Sequence, residues 1–387
     1  MAINSLRKFT TKLVVFVMFS VILIIIVKKY KANLKNRLHK NLPLKYILLW
    51  TSENTIPFLH LGKGRSGFIR RDCAYTNCFV TSNKSLLGNT TAFDAILFHG
   101  PELMTINLIL PEERLPHQKF VFASIESPAN YPLCIHNFNG YFNWTWTYKL
   151  DSDINWGFIV VKDSNGTVVG PKKDMHWIDW KDMDPVNETF KYQLKSKHSD
   201  VAWFVSNCFT QSKREYFVER LKVELRNKYE RDIHVYGDCG VFSCDRKKQN
   251  SCGEMLTRDY FFYLSFENAF SEDYVTEKLL HALQNNVVPI VYGGANYSRF
   301  LPHRSYLNAR ELKVKKLARI IDQLIREPST YSEFFRWKKY YSYHRTIKVK
   351  ETNEYCKMCA ALNNEELMKT TSVCNDFSDF WEVNNTC

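Results

Sequence analysis

The 387-residue chain reads as an α/β protein of two Rossmann-like domains facing across a cleft, behind an N-terminal transmembrane anchor. Three observations point there. Two successive series of short β-branched or aromatic runs alternate with helical stretches, the pattern of parallel sheets covered by helices. One segment, YFFYLSFENAFSEDYVTEKLLHALQNNVVPIVYGGANYSRF (260–300), holds a complete strand–helix–strand unit. An unbroken apolar run, 13–27, has Ser20 as its only polar residue and stands between basic flanks.

That run is shorter than the roughly 20 residues that span a typical bilayer. No small-residue cleavage site follows Val27, so a signal anchor is favoured over a cleaved signal peptide, and short spans suit early secretory membranes. A bare count of basic residues would put the heavier C-terminal flank in the cytosol. Seven Asn-x-Ser/Thr acceptors downstream (Asn83, Asn89, Asn143, Asn165, Asn187, Asn296 and Asn384) and all eleven cysteines argue for the lumen instead. The expectation is a cytosolic tail over 1–12, the anchor over 13–27 and a polar stem over 28–45. Nine basic residues, from Arg7 to Lys40, flank the anchor and contribute to the net charge of +13. The remaining chain is mildly basic and carries no basic stripe interleaved with aromatics and no zinc finger, which excludes nucleic-acid binding as a function class.

Beyond the stem, 45–50, 92–99, 119–125 and 157–161 read as strands, separated by loops with Gly, Pro and Asn. A connecting segment covers 174–197. The second series opens with a strand at 201–206, an amphipathic helix over about 212–229 and a strand at 233–236. In the unit that follows, 261–266 is an aromatic-rich strand buried on both faces, and 276–284 is helical with Leu279, Leu280 and Leu283 along one side. The strand 287–292 ends at Gly293-Gly294, and helices follow near 314–326 and 331–341. The implied division is a first α/β domain over 46–197, a second over 198–345 and a C-terminal segment over 346–387.

Polar residues cluster where a βαβ unit binds ligands. Glu267 and Asn268 close the first strand; Asp273, Tyr274, Glu277 and Lys278 lead into the helix. That edge of an open sheet holds the ligand, and a helix N-terminus favours phosphate. Lys278 in the first turn opposes the helix dipole, a conflict that a bound diphosphate would relieve.

The pattern FEN-x5-YVTEK followed by VVPIVYGGANYSRF resembles the donor-binding segment of the α-1,3-fucosyltransferases, glycosyltransferase family 10. The likeness extends over roughly 45–359. It implies the two-domain GT-B architecture and inverting transfer of L-fucose from GDP-fucose to the 3-hydroxyl of an N-acetylglucosamine-containing glycan acceptor. It also implies a single-pass type II Golgi membrane protein with a lumenal catalytic part. The alternatives are a GT-B transferase using another nucleotide sugar, or an inactive glycan-binding relative.

Such a transfer needs a base for the acceptor hydroxyl, positive charge at the departing diphosphate, and a held fucose ring. Glu126 closes the apolar strand 119–125 and precedes Ser127-Pro128. A cap or loop salt bridge is the plain alternative, and the resemblance makes Glu126 the base. Lys213 and Arg214 open a helix at a strand's carboxyl end. The family has an arginine there, and the bidentate fork of Arg214 suits a diphosphate better than Lys213. Asn268, Tyr274, Glu277 and Lys278 carry over position by position: Glu277 to ribose or fucose hydroxyls, Tyr274 and Lys278 to the diphosphate side. Glu267 could equally orient a backbone loop. Asp151-Ser-Asp153 and Asp182-Met-Asp184 match a metal-binding triplet of another glycosyltransferase fold, but two specified residues arise by chance. The resemblance implies no obligatory metal, a divalent cation being at most stimulatory. Cys356-Lys-Met-Cys359 allows zinc, a redox pair or disulfides. The resemblance suggests a tether to the region of Cys73 and Cys78, and an odd cysteine count leaves at least one outside any internal pair.

Overall fold

A computed structural model of the chain describes residues 42–387 apart from 106, 107, 112, 136, 245–250 and 384–386, together with Leu23. The expected tail, anchor and most of the stem therefore lie outside the described residues, as does Asn384. Among the described residues no helix is long and apolar enough to cross a membrane.

Strands β1 (Lys45–Leu49), β2 (Cys78–Thr81), β3 (Ala95–His99), β4 (Lys119–Ser124), β5 (Trp144–Thr147) and β6 (Ile154–Asn155) form one parallel sheet in the order β2-β1-β3-β4-β5-β6. After β7 (Ile159–Asp163) and β8 (Val168–Gly170) come β9 (Ser199–Phe204), β10 (Ile233–Tyr236), β11 (Tyr260–Phe266), β12 (Val288–Tyr292) and β13 (Leu307–Asn308). These last five make a second parallel sheet, β10-β9-β11-β12-β13. Every position of β3, β4 and β11 is buried, as parallel strands covered on both faces require. In each sheet the strand order reverses around the first strand: β1 lies between β2 and β3, and β9 between β10 and β11. Such a reversal opens a crevice at the strands' carboxyl ends.

Two expectations change. The strand expected at 157–161 exists as β7 but lies outside both parallel sheets; it pairs antiparallel with β14 (Tyr341–Arg345) and β8. The helix expected over 331–341 is a short helix, Pro328–Ser332, followed by a 3-10 segment, Glu333–Lys339, and then β14. The YSYHR alternation explains the switch, since Tyr341 and Tyr343 turn inward while Ser342 faces out. The helix expected near 314–326 is assigned over Ala309–Arg326, with a break at Lys313, whose φ is 58°. The missed strands β2, β5 and β6 complete the first sheet.

The C-terminal segment returns to the first domain. Helix Glu354–Leu362 brings Tyr355, Met358 and Cys359 into the core beneath β5, where Trp146 stacks on Trp156 at 4.6 Å and Tyr355 meets both edge-on. Further on, Phe377 and Trp381 pack edge-on against Phe122 of β4. Disulfides Cys73–Cys356 and Cys78–Cys359 fasten this return, the tether that the resemblance implied. Cys134–Cys387, Cys208–Cys239 and Cys244–Cys252 complete the pairing, and Cys374 is a free, partly buried cysteine.

Cys78–Cys359 closes a loop of 281 residues. Replacing both cysteines by alanine is expected to lower the unfolding free energy by about 2–5 kcal/mol, read as a shifted denaturant midpoint. An unchanged midpoint would show that the aromatic packing holds the segment alone.

Candidate active site

The reversal point of the second sheet gathers most of the residues singled out by sequence. From β9 the loop 205–213 leads into the helix Arg214–Tyr229, beside the end of β11 at Phe266. Arg214 is buried at this junction, with Nη1 donating to Phe266 O at 2.5 Å and Nη2 to Asn207 O at 3.1 Å. Ser212 donates through N to Asn268 O (3.0 Å) and through Oγ to Glu267 O (2.7 Å). The two loops are thereby stitched together. Arg214 Nε and Asn268 Oδ1 have no hydrogen-bond partner among the described residues though both are buried, a state that a polar ligand would relieve. Burial lowers the Arg214 pKa from its ordinary value against the pull of Glu267 and Glu215. Lys213 differs: it takes a left-handed backbone (φ 51°) and is exposed.

Glu267 is 1% exposed. Its Oε1 accepts from Thr276 N at 2.8 Å, and its Oε2 from Thr276 Oγ1 at 2.9 Å and Lys278 Nζ at 3.1 Å. The carboxylate thus caps the helix Glu277–Leu283, whose own N-cap residue, Thr276, makes no side-chain cap. The sequence argument gave a bound anion the task of relieving Lys278 at this helix start. Here Glu267 already supplies an anion, so the dipole conflict alone does not identify a ligand. Of the three ammonium donors of Lys278, contacts to Glu267 Oε2 and Thr276 Oγ1 (2.7 Å) engage two. Burial opposes its charge, but Glu267 and Glu277 outweigh burial and raise its pKa. Glu277, with Oε1 3.7 Å from Lys278 Nζ, is partly open. Burial would raise its pKa, yet Lys278, helped by His281 and Arg345, holds it below the ordinary carboxylate range.

Glu126 emerges after β4 from the other domain. Its Oε2 accepts from Tyr274 Oη at 3.0 Å and Asn130 Nδ2 at 3.3 Å. The resemblance placed Tyr274 on the diphosphate side; in the structure its hydroxyl bonds to Glu126. Tyr274 is 2% exposed, and burial, then the nearby Glu126 and Glu267 carboxylates, keep its phenol protonated and therefore a donor. A cleft of about 640 Å³ is walled by Glu126, Asn130, Asn207, Lys213 and Asn268 among others, while Arg214, Tyr274, Glu277 and Lys278 are not part of its lining.

The loop 269–276 between Asn268 and the helix is held closely. At Gly294 a Cβ atom would lie 2.4 Å from Ser271 N, so the glycine pair ending β12 is needed for loop and turn to touch. Asp273, buried and at φ 58°, accepts from Arg299 Nη1 at 2.6 Å and from Leu150 N at 3.2 Å. Of the Asp-x-Asp triplets, Asp153 accepts from Thr145 N and Oγ1, Asp151 pairs with Lys173, and Asp184 pairs with Lys339 and Tyr340 Oη. Among the described residues no group of three or more His, Cys, Asp or Glu is arranged to hold a metal ion.

Sequence reasoning gave no role to Asn130 and Asn207, both on the cleft wall, and missed that Asp273 pairs with Arg299. The Asn130 position four residues past Glu126 was the available signal. The pairing of Asp273 with Arg299 spans 26 residues and had none.

Tyr274→Phe keeps the ring and removes the hydroxyl that contacts Glu126. It is expected to reduce turnover roughly ten- to hundredfold, the scale of a hydrogen bond to a charged group, at a nearly unchanged melting temperature. Wild-type turnover in a folded Tyr274→Phe protein would show that this contact is idle.

The family model described as "Fucosyltransferase, N-terminal" matches residues 42–159, and "Glycosyltransferase family 10 (fucosyltransferase) C-term" matches 194–379. The chain is 35% identical over 312 residues to the Alpha-(1,3)-fucosyltransferase C of Drosophila melanogaster, covering 80% of this chain and 70% of that protein. It is 31% identical over 348 residues to the Glycoprotein 3-alpha-L-fucosyltransferase A of the same organism, covering 89% of this chain and 61% of the relative. A crystal structure of an alpha1,3-fucosyltransferase with GDP-fucose is 16% identical, with a TM-score of 0.49 over 86% of this chain and 93% of that one.

Proposed function

The chain belongs to glycosyltransferase family 10, the fucosyltransferases, and on that premise we propose that it moves L-fucose from GDP-fucose to the 3-hydroxyl of an N-acetylglucosamine in a glycan, with inversion at the sugar. The meeting of Glu126 from the first domain with Tyr274 from the second, on one cleft, carries this reading. A base from one sheet stands against the donor loop of the other, so acceptor and donor can be brought to one point.

The steps follow from the residues. Glu126 takes the proton of the acceptor hydroxyl as its oxygen attacks the anomeric carbon of fucose. The bond from that carbon to the diphosphate oxygen breaks with its electron pair, and GDP leaves as an anion. Lys278, Arg214 and Lys213 are the cations for that charge; Arg214 keeps N–H groups beyond the two that hold Phe266 O and Asn207 O, and Lys278 its remaining N–H direction. Asn268 and Glu277 are positioned for sugar hydroxyls. No metal is obligatory in this scheme, and full loss of activity on chelation would overturn that point. The two relatives named above are by name an Alpha-(1,3)-fucosyltransferase and a Glycoprotein 3-alpha-L-fucosyltransferase, which supports this reading. Terminal lactosamine units and the chitobiose core of N-glycans both offer the required hydroxyl.

We place the enzyme in the Golgi membrane with its catalytic part lumenal. Five disulfides fit an oxidising compartment, and the sequons point the same way.

The test is transfer from GDP-fucose by the full chain, offered lactosamine and N-glycan-core acceptors side by side, with GDP-mannose as the competing donor. Product on either acceptor supports the reading and names the acceptor class; turnover of GDP-mannose alone defeats it. Glu126→Ala is expected to abolish transfer while GDP binding stays near wild type. Lys278→Ala is expected to weaken both by about 1.5–3 kcal/mol. Near wild-type turnover by Glu126→Ala would refute the base assignment.

A further inference from the structure

The C-terminal tail reaches the donor loop through one carboxylate. Phe377 and Trp381, each 1% exposed, anchor the tail in the aromatic core under β4, and Cys134–Cys387 fastens its end. Between these anchors Glu382 adopts a left-handed backbone, φ 53°, which a side chain takes at a cost and keeps only where contacts hold it. Its Oε1 accepts from Lys149 Nζ at 2.7 Å, from Ser271 Oγ at 2.7 Å and from Glu272 N at 3.2 Å. Lys149 belongs to the first domain and its side chain is 3% exposed; Ser271 and Glu272 belong to the donor loop.

We infer that Glu382 is a positioning residue of the donor site, a tail-borne acceptor that fixes the loop 269–276 against the first domain. The contacts continue to the reacting groups. Ser271 Oγ also bonds Tyr148 Oη at 2.9 Å, and the Tyr148 ring packs edge-on against Tyr274 at 4.9 Å. Tyr274 in turn donates to Glu126, and three residues further along Glu277 begins the donor helix. Arg299 and Leu150 N restrain Asp273 on the same loop, and Phe377 and Trp381 share an apolar cluster with Ala269 and Tyr274, but among the hydrogen bonds of the described residues those of Glu382 tie the tail to Ser271 and Glu272. A buried ammonium needs a partner in any case, so the ion pair with Lys149 alone could be plain support. The bonds to Ser271 and Glu272 distinguish the two roles, because they act on the loop.

The inference rests on the donor reading above, and the experiment separates the two. GDP affinity is measured by calorimetry, and the KM values for GDP-fucose and acceptor by initial rates, on full-length protein. Lys149→Met/Glu382→Ala removes the buried charge together with its partner and leaves Ser271 and Glu272 without their acceptor. Its GDP Kd and GDP-fucose KM are expected to rise about tenfold, the scale of one or two lost hydrogen bonds, with the acceptor KM within about twofold. In Lys149→Met/Glu382→Gln the amide oxygen restores the acceptor, and donor affinity is expected to recover most of that loss. A folded Lys149→Met/Glu382→Ala protein with wild-type GDP Kd and donor KM would overturn the inference. So would a loss that the glutamine does not rescue and that follows the melting temperature. Absence of GDP binding by the wild type would strike the donor reading instead.

Discussion

A buried carboxylate organises the second domain. Glu267 stands at the carboxyl end of the central strand β11 with 1% of its surface exposed, where an unpaired charge could not persist. It is satisfied by the backbone and hydroxyl of Thr276 and by the ammonium of Lys278. Those contacts start the helix Glu277–Leu283, fix the direction of Lys278 and thereby close the loop 269–276 at its far end. The near end is closed by Ser212, which bonds the carbonyls of both Glu267 and Asn268. Lys278 and the loop that carries Tyr274 both derive their positions from this one group.

The halves of the molecule are joined more intimately than two consecutive domains would be. The chain completes the second sheet and then returns, so that Tyr355, Phe377 and Trp381 fill the core of the first. β14 pairs with β7 on the way, adding a small antiparallel sheet to the two parallel ones. Disulfides spanning 283 and 281 residues hold the return in place. The cleft is therefore bordered by parts whose relative placement is set by the tail as well as by the two sheets, and the Lys149–Glu382 pair is where that restraint meets the donor loop.

Legibility in the sequence followed the range of the interaction. The unit 260–300 read correctly because its strand, loop, helix and strand are adjacent, and because burial on both faces leaves continuous apolar runs. The helix over 214–229 and the strands β3, β4, β9 and β10 were legible for the same reason. β14 was missed, the expected helix over 331–341 reaching only its first residue, because tyrosines at alternating positions look like nothing in particular until a partner strand is known. Lys278 at a helix start requires a nearby anion, and the structure supplies Glu267, eleven residues earlier and one strand end away. Arg214 was singled out for its fork, yet both of its Nη atoms donate to backbone carbonyls and its Nε is buried without a partner among the described residues.

By itself, then, the sequence determined the α/β class, the family, the strand-end location of the candidate donor-site residues and the candidacy of Glu126, because short-range patterns and local motif chemistry encode all of these. Only the tertiary structure decided that Tyr274 bonds to Glu126, that Glu267 and Lys278 neutralise each other, which cysteines pair, and that Glu382 touches the donor loop. Each of those joins residues brought together by a strand crossing, a returning tail or the approach of two sheets. Spacing along the chain carries no record of such contacts, since they depend on where the whole fold puts its ends.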